Sequence, residues 1–193
     1  MRARMTRGLI GLLGAAALAT GCTSGASPSA SASASSAPTT VTAAQLHDYV
    51  AEVEPVRLAV NDLLDEADPI LDAYRAHSIT PEVAGQQMSE LESKFAVQLV
   101  AVESIVPADA TLRELHRPYA DTFIDEDTYL AALAAALPHG EFAELPDTRN
   151  DQRRAIVVWR TQLEVLAGQT GASLPDDLQQ AGRGEIAPSP TEG

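Results

Sequence analysis

The side chains here that could do chemistry are four histidines, His47, His77, His116 and His139, a single cysteine, Cys22, several acidic runs and a group of arginines. A metal site on a helix needs ligands three or four residues apart, so that they share a face. No histidine has such a partner: Glu114 with His116 and His116 with Asp121 have spacings that point their side chains apart. Asp125-Glu126-Asp127 begins like a calcium loop, but Leu130 stands where glycine is required and Ala136 where the bidentate acid belongs. Past residue 22 there is no Gly-x-Ser-x-Gly, no glycine loop to cradle phosphate, and no second cysteine for a covalent haem. These patterns assign no catalytic residue, no metal ligand and no cofactor, and the expectation is a protein that is not an enzyme.

Candidate binding residues remain: His116, Tyr119, Arg153, Trp159 and Arg160. His116 follows Leu112 by four residues and precedes Tyr119 by three, which puts it on or beside an apolar stripe. It could bind a ligand, a metal or haem with a distant partner, or be a hydrogen-bonded core histidine, a candidate partner for the hydroxyl of a buried tyrosine such as Tyr49, Tyr74 or Tyr119. Trp159, Tyr49, Tyr74 and Tyr119 all fall on apolar stripes, as core aromatics do. Arg149, Arg153, Arg154 and Arg160 could receive an anionic ligand or a partner's acidic patch, or pair with acidic helices of the same chain. Asp62, Asp65, Glu66, Asp68 and Asp72, with Asp121, Asp125, Glu126 and Asp127, read as solvated faces with a weak cation surface as the alternative. His77 and His139 sit near helix C-termini, where the helix dipole favours them, and His47 lies on a solvated face.

The elements that must position these residues are helical. Leu46, Tyr49, Val53, Val56, Val60, Leu63, Ala67, Ile70 and Tyr74 step by three and four, after a capping box suggested by Thr42 and Gln45. Pro55 and Pro69 either kink this helix or, at Asp68-Pro69, start a new one. Thr80-Pro81 announces a second helix carrying Ala84, Met88, Leu91, Phe95, Leu99, Val102 and Val106, closed by Pro107. A third uses Leu112, Leu115, Tyr119, Phe123, Leu130, Leu133 and Leu137, with a kink at Pro118 and an alanine-rich end that permits close approach of a neighbour. Thr148 with Asp151 suggests a cap for a fourth, with Ile156, Trp159, Leu163 and Leu166 inward and a stop at Gly168 or Gly171. Short connections favour antiparallel neighbours, so the expected fold is all-α, an antiparallel four-helix bundle with kinked first and third helices. It spans 41–171, and 172–193 is expected to be a flexible tail, with a possible helical turn from Pro175 to Ala181.

Ahead of the bundle, Arg2, Arg4 and Arg7 precede an apolar run from Leu9 to Ala19, too short to span a bilayer, and then Leu18-Ala19-Thr20-Gly21-Cys22. This stretch resembles the lipobox of bacterial lipoproteins, with Ala19 where that family usually has leucine. The resemblance covers 1–22 and implies removal of 1–21, a diacylglyceryl thioether on Cys22, and retention on the extracytoplasmic face of the cell membrane. The helical part is similar to small Ala- and Arg-rich lipoproteins of high-GC Gram-positive bacteria, a likeness that brings no catalytic residue. Residues 22–40 comprise the anchor cysteine and a Ser/Ala/Pro-rich tether, which cannot bury enough apolar surface to fold and whose hydroxyls could carry glycans. As a flexible coil it would reach about 24 Å.

Loss of the leader removes three arginines and no acid, taking the formal charge from −14 to −17. Such an acidic surface, with Lys94 as its sole lysine, disfavours nucleic acid and anionic headgroups alike, so the lipid must supply membrane affinity. Two functional classes follow. One is a lipid-anchored, non-catalytic module that binds an envelope protein; the other is a carrier or sensor holding a small ligand, metal or haem between its helices.

Overall fold

A computed structural model describes residues 40–179 and 185–191. The expected leader (1–21), the expected lipidation site at Cys22 and the expected tether up to residue 39 lie outside the described residues.

Helix α1 (Ala43–Arg75) runs for 33 residues, about 50 Å at 1.5 Å per residue. Thr42 and Gln45 form the expected reciprocal capping box: the Gln45 N–H donates to the Thr42 hydroxyl at 3.3 Å and the Thr42 N–H to Gln45 Oε1 at 2.9 Å. Pro55 and Pro69 lie inside this helix, so Asp68-Pro69 does not start a new one. Proline removes one backbone donor and frees the carbonyl four residues earlier, here Ala51 and Asp65. All four residues are exposed, so the missing backbone bonds lie on the solvent side of the helix. Pro118 and Glu114 repeat the arrangement in α3 (Ala110–Ala136).

The buried face of α1 differs from the expected stripe along one flank. Leu46, Tyr49, Val53, Val60 and Ala67 are buried as the pattern requires, but their companions are Val50, Arg57, Leu64 and Leu71, with Val56, Leu63, Ile70 and Tyr74 only half-buried. Leu46, Val50, Val53, Arg57, Val60, Leu64, Ala67 and Leu71 alternate steps of four and three, the 3.5-residue period of a helix seam. An arginine in the middle of that series hid it.

Helix α2 (Pro81–Glu103) begins at Thr80, whose hydroxyl accepts from the Val83 N–H, with Pro81 at the first helical position, where its missing donor costs nothing. It ends at Glu103, and Val106 lies beyond it, 74% exposed, instead of closing the apolar stripe. Asp109 caps α3 by accepting from the Thr111 and Leu112 N–H groups. Helix α4 (Arg149–Thr170) starts after Thr148 without the expected side-chain cap, and stops at Gly171, which takes the left-handed conformation at φ 72°. A four-residue turn, α5 (Asp176–Gln179), follows.

The described residues contain no strand, and α1 to α4 pack together as a helical bundle. α2 lies between α1 and α3, and α3 between α2 and α4, whereas α1 and α4 meet only over a short stretch. Glu185–Thr191 occupies this weak side. Ile186 and Ala187 are buried in the common core, and the segment bonds to side chains of α1, α3 and α4. For these residues the expectation of a free tail is corrected: a Pro-rich stretch with few donors of its own can lie in a groove whose walls supply them.

Candidate functional site

Three polar groupings interrupt the apolar interior. The first joins α1, α3 and α4 through Tyr49, His116 and Trp159. His116 Nε2 lies 3.1 Å from the Val102 carbonyl, which can only accept, so Nε2 carries the proton and Nδ1 accepts from the Tyr49 hydroxyl at 3.1 Å. That hydroxyl in turn accepts from the Trp159 indole N–H at 2.8 Å. Burial lowers the His116 pKa, keeping the imidazole neutral, and raises that of Tyr49. Both ring nitrogens are thus spent on interior bonds. The partner of His116 is Tyr49, and Tyr119 is only a ring neighbour, with centroids 6.5 Å apart.

Tyr119 instead stacks on Trp159, centroids 4.0 Å apart and planes 12° from parallel. Its hydroxyl is buried without a hydrogen-bond partner, and burial, with the Glu185 charge nearby, raises its pKa. The Glu185 carboxylate belongs to the second grouping, where Arg57, 2% exposed, is the centre. Its guanidinium binds Glu54 in a two-pronged pair at 3.0 and 2.8 Å, contacts Asp177 of α5, and lies 3.8 Å from Glu185 Oε1. Arg160 Nη2 reaches the same Glu185 oxygen at 3.4 Å, while Oε2 is buried with no hydrogen-bond partner.

Glu126 centres the third. It belongs to a run read from sequence as solvated, yet it is 1% exposed, because its place on α3 faces α4 and the C-terminal segment. Its Oε1 accepts the Ala187 N–H at 2.8 Å and its Oε2 the Gln152 side-chain N–H at 3.1 Å. Burial pushes its pKa up to about 7, against these bonds and the Arg149 charge, which favour the ionised form.

The second and third groupings are bridged by the backbone of the C-terminal segment. Four successive carbonyls accept from side chains of the bundle: Ala187 from Arg149 at 3.1 Å, Pro188 from the Tyr129 hydroxyl at 3.2 Å, and Ser189 and Pro190 from Arg75 at 2.8 and 3.3 Å. This is a groove that holds an extended chain by its main-chain atoms.

Of the five candidates, the structure brings His116, Tyr119 and Trp159 together and places Arg160 beside Glu185. Arg153 is exposed and joins none of these contacts among the described residues. Arg154 pairs with Asp151 on the surface, Lys94 with Glu66, and Arg75 with Asp72. Sequence reasoning missed Arg57, Glu126 and Glu185; the one available signal was the 3.5-residue series on α1 that runs through Arg57.

A shallow groove of about 230 Å³ lies beside His116, with Arg113, Arg117 and Asp121 on its walls. Among the described residues, no three His, Cys, Asp or Glu side chains converge as a metal ion would require, and no helix is long and apolar enough to cross a membrane. No protein-family model, curated protein or solved structure matches this chain.

Proposed function

We propose that this protein is a lipid-anchored, non-catalytic module on the extracytoplasmic face of the cell membrane, which binds an extended segment of another envelope protein. Its anchor would be the diacylglyceryl group on Cys22, and its frame an antiparallel bundle kinked at the prolines of α1 and α3. The observation that carries the reading is the groove between α1, α3 and α4, where side chains of three helices take hold of four consecutive backbone carbonyls. Main-chain recognition of this kind suits a polypeptide and no small metabolite.

The carrier reading has less support. Its best residues, His116, Tyr49 and Trp159, already satisfy one another, and the space beside His116 is shallow and open.

Native mass spectrometry of the protein, extracted from its own membrane in mild detergent, tests both. A complex of the diacylated chain with a second polypeptide is the expected result. A diacylated chain carrying a non-covalent small molecule and no polypeptide would replace the interaction reading with the carrier, and a chain without the lipid mass would remove the anchor.

A further inference from the structure

We infer that Arg57, Arg160 and Tyr119 form a recognition pocket for a carboxylate on an acidic, extended segment of a partner protein, and that Glu185 occupies this pocket as an intramolecular competitor. The inference rests on the interaction reading and specifies its ligand.

The pocket is built, and its present occupant fills it poorly. Arg57 and Glu185 are both about as buried as core leucines, yet only one Glu185 oxygen is engaged, at 3.8 Å from Arg57 and 3.4 Å from Arg160. A good guanidinium–carboxylate pair uses both oxygens at under 3 Å. Glu185 Oε2 and the Tyr119 hydroxyl, an acceptor and a donor, are each buried without a hydrogen-bond partner. A carboxylate placed less constrained by the chain that delivers it could engage both arginines and accept from Tyr119.

Delivery explains the constraint. The position of Glu185 is set by its neighbours: Ala187 is pinned to Glu126 through its N–H and to Arg149 through its carbonyl, and Ile186 is buried. Those contacts read backbone and small apolar bulk, which another chain can offer as well. Side-chain specificity comes from the acid at 185 and from the space for Ile186 and Ala187. Pro188 and Pro190 lack an N–H and so need no acceptor from the groove. The ligand is therefore a segment of the form acid, aliphatic, small, proline. When Glu185 leaves, Arg57 keeps Glu54 and Asp177, so opening the pocket does not strand a buried cation.

A tethered occupant competes at an effective concentration in the millimolar range, which masks the pocket against weak trans ligands. The test weakens the tether's hold and offers the same chemistry in trans. A fluorescein-labelled peptide copying Gly184–Thr191 is titrated by anisotropy into the full-length lipidated chain, as wild type, Glu185→Gln and, as an independent way of loosening the segment, Ile186→Asp. Both variants should bind the peptide at least tenfold more tightly than wild type. A peptide with Gln in place of Glu185 should lose that gain, and adding Tyr119→Phe to Glu185→Gln should weaken binding several-fold without lowering the melting temperature.

Equal affinity for wild type and both variants, or indifference to the peptide's Glu-to-Gln change, overturns the proposal. Succinate competing with the peptide at concentrations where an uncharged peptide does not would make the ligand a free carboxylate and overturn the assignment to a partner segment. Failure of the peptide while a second polypeptide still co-purifies removes the pocket and leaves the interaction reading standing; peptide binding without any co-purifying polypeptide leaves a pocket for the chain's own segment and overturns both the interaction reading and the assignment of the pocket to a partner.

Discussion

Tyr49 and Tyr119 are both buried, and their hydroxyls have opposite surroundings. The Tyr49 hydroxyl links two other buried groups, accepting from Trp159 and donating to His116. Tyr49→Phe would leave an indole N–H and an imidazole nitrogen without partners, each costing about 1–3 kcal/mol. Tyr119→Phe removes a hydroxyl that has no partner to lose, so stability should stay level or rise by about 1 kcal/mol. Urea midpoints of the two variants check this: Tyr49→Phe should fall well below wild type and Tyr119→Phe should not. A Tyr119→Phe loss as large as that of Tyr49→Phe would mean that the Tyr119 hydroxyl is bonded in solution. His77 offers a second test. It is the left-handed residue of the turn ending α1, at φ 54°, with its N–H donating to the Tyr74 carbonyl and the Ser78 N–H donating to that of Ala73. A side chain is strained there and glycine is not, so His77→Gly should raise the midpoint by the equivalent of about 0.5–1 kcal/mol.

At the scale of the helices, the close approach of α2 to the end of α3 depends on Gly85. A Cβ at that position would come within 2.8 Å of the Pro138 ring and 3.0 Å of the Ala134 carbonyl. Alanine in place of glycine inside a helix ordinarily gains about 1 kcal/mol. Here the clash should outweigh the propensity, and Gly85→Ala should lower the thermal midpoint; a rise would show that the two helices separate at little cost. The alanine-rich stretch of α3 made this approach legible in the sequence, as three-and-four spacing made the helices and Thr42, Thr80 and Gly171 their ends. What stayed illegible has a common physical cause. Periodicity finds apolar faces, so it passed over Arg57 and Glu126, polar residues whose burial is completed by partners from a distant segment as well as from the helices. That segment, Glu185–Thr191, has no periodicity of its own. Its order comes from bonds to Arg75, Tyr129 and Arg149, which local sequence does not encode.

For the whole molecule, these buried charges make stability depend on pH in a way that can be assigned. The Glu126 pKa, 4.5 in an ordinary setting, stands at about 7 in the folded chain. Between those values the folded state holds a proton that the unfolded state has released, so stability falls as pH rises through this window. At 1.36 kcal/mol per pH unit, the full contribution is about 3 kcal/mol, present below pH 4.5 and lost as pH rises through about 7. His116 acts in the opposite sense: its pKa is lowered by burial, so the unfolded state takes up the proton first and stability falls as pH drops below about 6.5. Glu126→Gln separates the two, because the His116 contribution is common to both chains and cancels in the difference. The groups facing Glu126 are Gln152 and Arg149 from α4, the Ala187 N–H from the C-terminal segment and Asp125 on its own helix, and all remain in the variant. Urea unfolding at pH 5, 6, 7 and 8 should show wild type losing stability relative to Glu126→Gln with each step, steeply up to pH 7 and by much less between pH 7 and pH 8. Parallel curves would mean that Glu126 is ionised throughout. The bonds from Ala187 and Gln152 and the charge of Arg149 would then outweigh burial, and the C-terminal segment would be held by a full negative charge at every pH in that range.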